Sequence, residues 1–112
     1  MKHLRTDQDT RVLMPGYHGG FHVVLFWSSA DPQAQTTLDR FTQLEWGMLE
    51  HVSALEVEAH PAIARWFGIS TPPAVVVVYD GMMLCVEHGC QPGACERLER
   101  WALHQYTQLL DR

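Results

Sequence analysis

The chain has 112 residues, 46% hydrophobic and 19% charged, with 8 Lys and Arg against 13 Asp and Glu for a formal net charge of −5. It is too apolar for a disordered tail, lacks the roughly 18 consecutive apolar residues of a membrane span, and carries no basic footprint for nucleic acid or anionic lipid. One soluble globular domain over residues 1–112 is expected.

The opening residues Met1-Lys2-His3-Leu4-Arg5-Thr6-Asp7 show no apolar stretch behind their basic side chains, so a cytoplasmic protein without a signal peptide is expected. Residues 1–20 are polar and broken by Pro15-Gly16 and Gly19-Gly20. They predict a short strand or one weak helix, with Thr6 or Asp9 as its cap. Phe21-His22-Val23-Val24-Leu25-Phe26-Trp27 is a nearly unbroken apolar run rich in β-branched and aromatic residues, as in a central strand covered on both faces.

Ser28-Ser29-Ala30-Asp31-Pro32 then offers caps and a proline for the first helical position, and Leu38, Phe41, Leu44 or Glu45, and Met48 recur at helical spacing. A helix over 32–46, ending near Gly47, is predicted. His51–Val57 alternates as a short strand, and Pro61–Gly68 reads as a helix with Pro first and Gly last. Val75–Tyr79 is the clearest strand. Asp80-Gly81 marks a hairpin into Met82–Glu87. Leu98, Trp101, Ala102, Gln105 and Leu109 predict a closing helix over 93–110.

This order mixes a parallel crossover with an antiparallel pair, which is an α/β sandwich around a small mixed sheet of four or five strands. The residues at its corners carry a resemblance. Val-Val-Leu-Phe-Trp at 23–27, Pro61, Phe67-Gly68-Ile69, Pro73, Asp80-Gly81 and His88-Gly89-Cys90 together resemble thioredoxin over about residues 22–104. The resemblance implies a thioredoxin-like fold. It sets Ala30-Asp31-Pro32-Gln33 where the family has Cys-Gly-Pro-Cys, Pro73 at the family's cis-proline, and Gly89 at the loop facing the redox site.

The departures bear on chemistry. Thiol–disulfide exchange needs an attacking thiolate and a resolving thiol, yet residues 28–36 contain no cysteine. The family's buried aspartate is replaced by Leu25 and its lysine partner by Ala54. The implied reductase activity is therefore expected to be absent.

Three cysteines remain, Cys85, Cys90 and Cys95, an odd set that reads as reduced thiols. Cys85 lies inside a strand and reads as a small buried hydrophobe, and Cys95 shares the apolar face of the last helix. Cys90, beside the implied cis-proline, is the candidate for a redox role, alone or with Cys95. Cys85, His88, Cys90 and Cys95 are all zinc-ligand types, but strand alternation sends Cys85 and His88 to opposite faces, so no metal or other cofactor is expected. Ser28 and Ser29 read as helix caps, and His51 and His60 as solvated or capping histidines. Trp46 and Trp101 are placed on helix core faces, with Trp27 and Trp66 bordering the old redox surface or partly buried.

What the resemblance leaves is a groove made by Trp27, Ala30, Asp31, Pro32, Gln33, Thr71, Pro72, Pro73, His88, Gly89 and Cys90, which in relatives holds an extended client. A redox-inactive module that binds a protein or peptide, as chaperone or assembly factor, is the expectation, and the hydrogenase-maturation chaperones are one branch with this pattern. An atypical thiol–disulfide oxidoreductase using Cys90 with or without Cys95, and a structural subunit that forms a homodimer, are the alternatives. No nucleic acid and no membrane are expected among its partners.

Overall fold

The computed structural model describes residues 1–17, 19–43, 51–89 and 93–110, with Ala94 and Cys95 by backbone alone. Among the described residues five strands form one sheet: β1 (Lys2–His3), β2 (Phe21–Trp27), β3 (His51–Glu56), β4 (Ala74–Tyr79) and β5 (Met82–His88), in the spatial order β1-β3-β2-β4-β5. β1, β3 and β2 run parallel, while β4 and β5 are antiparallel additions. The helices are α1 (Ala34–Thr42), α2 (Pro61–Trp66) and α3 (Ala94–Leu110), preceded by a 3-10 segment at Asp9–Leu13.

The continuous apolar run of β2 has the cause the sequence suggests, since both faces of the sheet are covered. Val23, Leu25, Val75, Val77 and Cys85 point to one side, against Phe41 of α1 and Leu98 and Ala102 of α3. Val24, Phe26, Leu55, Val76 and Val78 point to the other, against Leu13, Ala64, Phe67 and Ile69. Burying a side chain of this size is worth about 1.5–3 kcal/mol, so the two layers set the register of every strand.

The first twenty residues supply both a strand and a helical segment. Thr6 Oγ1 accepts from the Asp9 amide at 3.0 Å while Asp9 Oδ2 accepts from the Thr6 amide at 3.1 Å, a reciprocal capping box in which both predicted cap residues take part. Between β4 and β5, Asp80 and Gly81 take φ of 50° and 81°, the two left-handed residues of a two-residue hairpin turn. β5 carries a bulge: Val77 pairs with Cys85 and Val78 with Met83, leaving Leu84 as the extra residue.

Some boundaries differ from expectation. α1 begins at Ala34, because Pro32 and Gln33 lie in a turn, and it ends at Thr42. The rest of the predicted 32–46 span, with Trp46 and Gly47, lies outside the described residues beyond Gln43. β3 stops at Glu56, although the Val57 amide still bonds the Trp27 carbonyl at 2.9 Å. Trp101 is not a core residue, being 48% exposed. Leu98 and Ala102 sit about 40° apart on the α3 helix, and Trp101 is displaced by about 60° from Leu98, which puts it on the rim of the buried stripe. Tyr106 does the packing instead, with ring centroids 5.1 Å from Phe21 and 5.0 Å from Tyr79.

Candidate functional site at the end of the sheet

The register brings most of the predicted site residues to one end of the sheet. Phe26 pairs with Ala74, and Ala74 with His88, so Trp27 leaves β2 where Pro73 enters β4 and Gly89 leaves β5. The Gly89 amide donates to the Pro73 carbonyl at 2.6 Å, which ties the last two segments together. The Pro72–Pro73 peptide bond is cis. Thr71 and His88 are exposed, and Pro72 and Pro73 half-buried. Cys90 lies outside the described residues, as does the side chain of Cys95.

The turn after β2 is held by carboxylates. Ser28 Oγ donates to Glu58 Oε1, Ser29 Oγ donates to Glu56 Oε1 at 2.9 Å, and the Ala30 amide donates to Glu58 Oε1 at 3.3 Å. The serines are therefore not helix caps, because their hydroxyls are spent on the last residue of β3 and on the loop after it. Asp31 instead closes the turn that precedes α1: its Oδ1 accepts from the Gln33 amide at 2.9 Å, and Gln33, at the N-cap position, makes no side-chain cap bond. Pro32 and Gln33 are exposed on this turn. The Ser28 hydroxyl, with help from the Ala30 amide, holds the Glu58 carboxyl below the usual carboxylate range, so it stays ionised.

Glu56 and Glu58 were not among the residues singled out from sequence. Their signal is two acids two apart at a strand end, a pattern shared by many solvated loops. Together with Asp31 they make three carboxylates, and no Lys or Arg occurs in 27–33, 56–60, 71–73 or 88–89. Beside them lies a cavity of about 270 Å³ lined by Arg5, Trp27, Leu38, Glu56 and His60 among others, so one cation, Arg5 from the chain's first residues, does border the acidic turn. Trp27 Nε1 and His60 Nε2 are both buried there without a hydrogen-bond partner among the described residues. His60 precedes α2 but makes no side-chain cap bond. Trp66 lies well out in solvent at 67% exposure.

The thiol on the sheet behaves as the sequence suggests. Cys85 is buried, its Sγ 3.8 Å from the Leu98 carbonyl oxygen, and burial, reinforced by nearby Glu87, pushes it up to about 11. It is a protonated and shielded thiol at neutral pH, a poor nucleophile. Cys85 pairs with Val77 and His88 with Ala74, which belong to opposite layers, so these two cannot share a metal ion.

No family model matches the chain, and no curated protein matches it by sequence. Solved structures do. The thioredoxin of Malassezia sympodialis is similar with a TM-score of 0.71 and 15% identity, over 89% of this chain and 88% of that one. Fasciola hepatica thioredoxin gives 0.70 and 17% over 89% and 97%, and mitochondrial thioredoxin 3 of Saccharomyces cerevisiae gives 0.69 and 19% over 89% and 93%. At these identities the likeness speaks for architecture alone. With a five-stranded mixed sheet flanked by three helices, the chain has a thioredoxin-like fold.

Proposed function

We propose that this chain is a redox-inactive binding protein on a thioredoxin-like fold, holding an extended segment of a protein client where β2, β4 and β5 meet, as a chaperone or assembly factor. The observation that carries the reading is the turn after β2. Where relatives keep thiols it has Ser28 to Gln33, and its hydroxyls are engaged by Glu58 and Glu56. Neither a serine so engaged nor Ala30 can attack a disulfide.

The same site limits how a client is held. Pro72 has no N–H to offer an incoming strand, and the Pro73 carbonyl already accepts from Gly89. Backbone pairing is thus reduced to the Pro72 carbonyl, and selection falls to side chains. Asp31, Glu56 and Glu58 favour a client segment carrying Lys or Arg, attracted more strongly at low salt. Within this reading the hydrogenase-maturation chaperones are the branch that the sequence resembles, and their client class is the one to try first.

One assay separates this reading from an oxidoreductase working through Cys90 and Cys95. In dithiothreitol-driven insulin reduction, a redox enzyme accelerates precipitation of the freed chain, whereas a binding protein delays it. Delay at stoichiometric protein, unchanged by Cys90→Ser and Cys95→Ser, is expected. Acceleration that Cys90→Ser abolishes would overturn the proposal.

A further inference from the structure

The cavity of about 270 Å³ beside the acidic turn is built by one face of three neighbouring strands and by α1. Trp27 and Glu56 are register partners on β2 and β3, and His3 and Ala54 are partners on β1 and β3, so these four side chains share one face of the sheet. Leu38 of α1 lies over them, and Arg5 borders the space from just past the end of β1. Ala54 is 1% exposed, and its methyl group leaves a depth that a longer side chain would fill. The space is several times the roughly 30 Å³ of a water molecule, so one water does not fill it.

The polar atoms of the wall define what fits. Trp27 Nε1–H can only donate, and it is buried with no acceptor among the described residues, so it needs one from outside the chain. His60 Nε2, equally unpartnered, meets a donor in one tautomer and an acceptor in the other. Glu56 Oε1 accepts from the Ser29 hydroxyl at 2.9 Å, which leaves Oε2 as an acceptor at the rim. The Arg5 backbone amide is bonded to Asp9, and its guanidinium adds donors on the other strand. Arg5 and Glu56 cancel in charge, with Glu58 and Asp31 close by, so an anionic group meets a surplus of carboxylates. A cationic group offers the indole no acceptor, and an apolar group buries the N–H dry. A neutral group that both accepts and donates answers every part of this wall.

We propose that this cavity is a specificity pocket for a primary carboxamide, the side chain of a glutamine or asparagine in the client segment, whose carbonyl oxygen accepts from Trp27 Nε1 and whose NH2 group donates to Glu56. The inference rests on the client-binding reading and deepens it. Trp27 joins the two sites, because it leaves β2 where Pro73 and Gly89 meet and its indole forms a wall of the cavity. A client lying over the Ser28–Gln33 turn therefore passes the mouth of the pocket. The methylenes of the side chain suit Leu38 and Ala54, and its planar amide satisfies His60 in either tautomer. A site built to hydrogen-bond its ligand discriminates sharply against an analogue that lacks the bonding group, since its own buried groups are then left unpaired.

The test follows the Trp27 indole N–H resonance in proton–nitrogen spectra of the full-length protein, assigned by its loss in Trp27→Phe, as N-acetyl-glutamine methylamide is added. A saturable downfield movement is expected, with the glutamate and leucine counterparts binding at least about tenfold more weakly. Ala54→Leu, which fills the pocket from its floor, is expected to abolish the response. Leu38 is only half-buried, so Leu38→Phe narrows the same space and remains informative even where Ala54→Leu does not fold. An unmoved Trp27 resonance, equal affinity for the leucine or glutamate compound, or unchanged binding in Leu38→Phe would each overturn the pocket. Tighter binding of free glutamine than of the blocked compound would assign it to a free amino acid and overturn the client side chain as its occupant. Insulin precipitation separates the two readings: delay that persists beside an unmoved Trp27 resonance removes the pocket alone, whereas loss of delay removes the client reading with it.

Discussion

Among the single residues, Cys85 and Gly81 give the sharpest expectations. Burial holds the Cys85 thiol at about 11, so alkylation of the native protein at pH 7.5 should leave it unmodified while denaturant exposes it. Mapping the modified peptides checks this, and rapid native labelling of Cys85 would show that its strand is not packed as described. Gly81 combines a φ of 81° with a close approach: a Cβ there would stand 2.0 Å from the Met14 carbonyl oxygen. Gly81→Ala is therefore expected to destabilise by roughly 2 kcal/mol or more, read from urea unfolding, since both the backbone and the Met14 loop would have to move. The sequence marked Gly81 as a turn residue. It gave no hint of Met14, because that contact joins loops 67 positions apart.

Whole elements were more legible than their rims. β2, β4 and the hairpin are local patterns, a long apolar run and an Asp-Gly pair, and local patterns suffice where both faces are buried. α3 was legible as a helix, but which residues face inward depends on the stripe that the sheet accepts: Trp101, expected on the core face, is exposed, and Tyr106, which the sequence did not single out, packs on Phe21. Truncation should expose the difference. Leu98→Ala is expected to cost about 2–5 kcal/mol, whereas Trp101→Ala should change stability by less than about 1 kcal/mol. Comparable losses in thermal unfolding would mean that α3 packs on another face. The site was half legible for a similar reason. Trp27, Pro73 and Gly89 carried a resemblance, while Glu56 and Glu58 became site residues only when β3 was laid beside β2.

At the scale of the molecule, acid acts on groups that favour the folded state in their less protonated forms: His22, Asp9 and the Glu58 carboxyl already described. Burial, and then the neighbouring His51, holds His22 below its usual 6.5. Between the folded value and 6.5 the unfolded chain binds the extra proton, so stability is complete above about 6.5 and falls as pH drops. The Arg5 and Thr6 amides hold Asp9 at about 2 against a usual 3.8, so its contribution persists to lower pH and is lost between those values. The melting temperature should thus decline in two limbs, one below pH 6.5 and one below pH 4. His22→Gln is expected to flatten the first alone. A melting temperature constant from pH 7.5 to 5 would contradict the burial of His22.

The extra residue at Leu84 has a consequence for how copies of the chain meet. β5 is the outermost strand on its side, and an outermost strand leaves a row of amides and carbonyls free to recruit another chain. Met82 and Met83 lie exposed along it and would make such recruitment adhesive. The bulge breaks the even spacing of that row and bends it, so a second copy laid alongside meets a mismatch after two residues. The irregularity is a guard against fibre growth, placed where the sheet would otherwise continue.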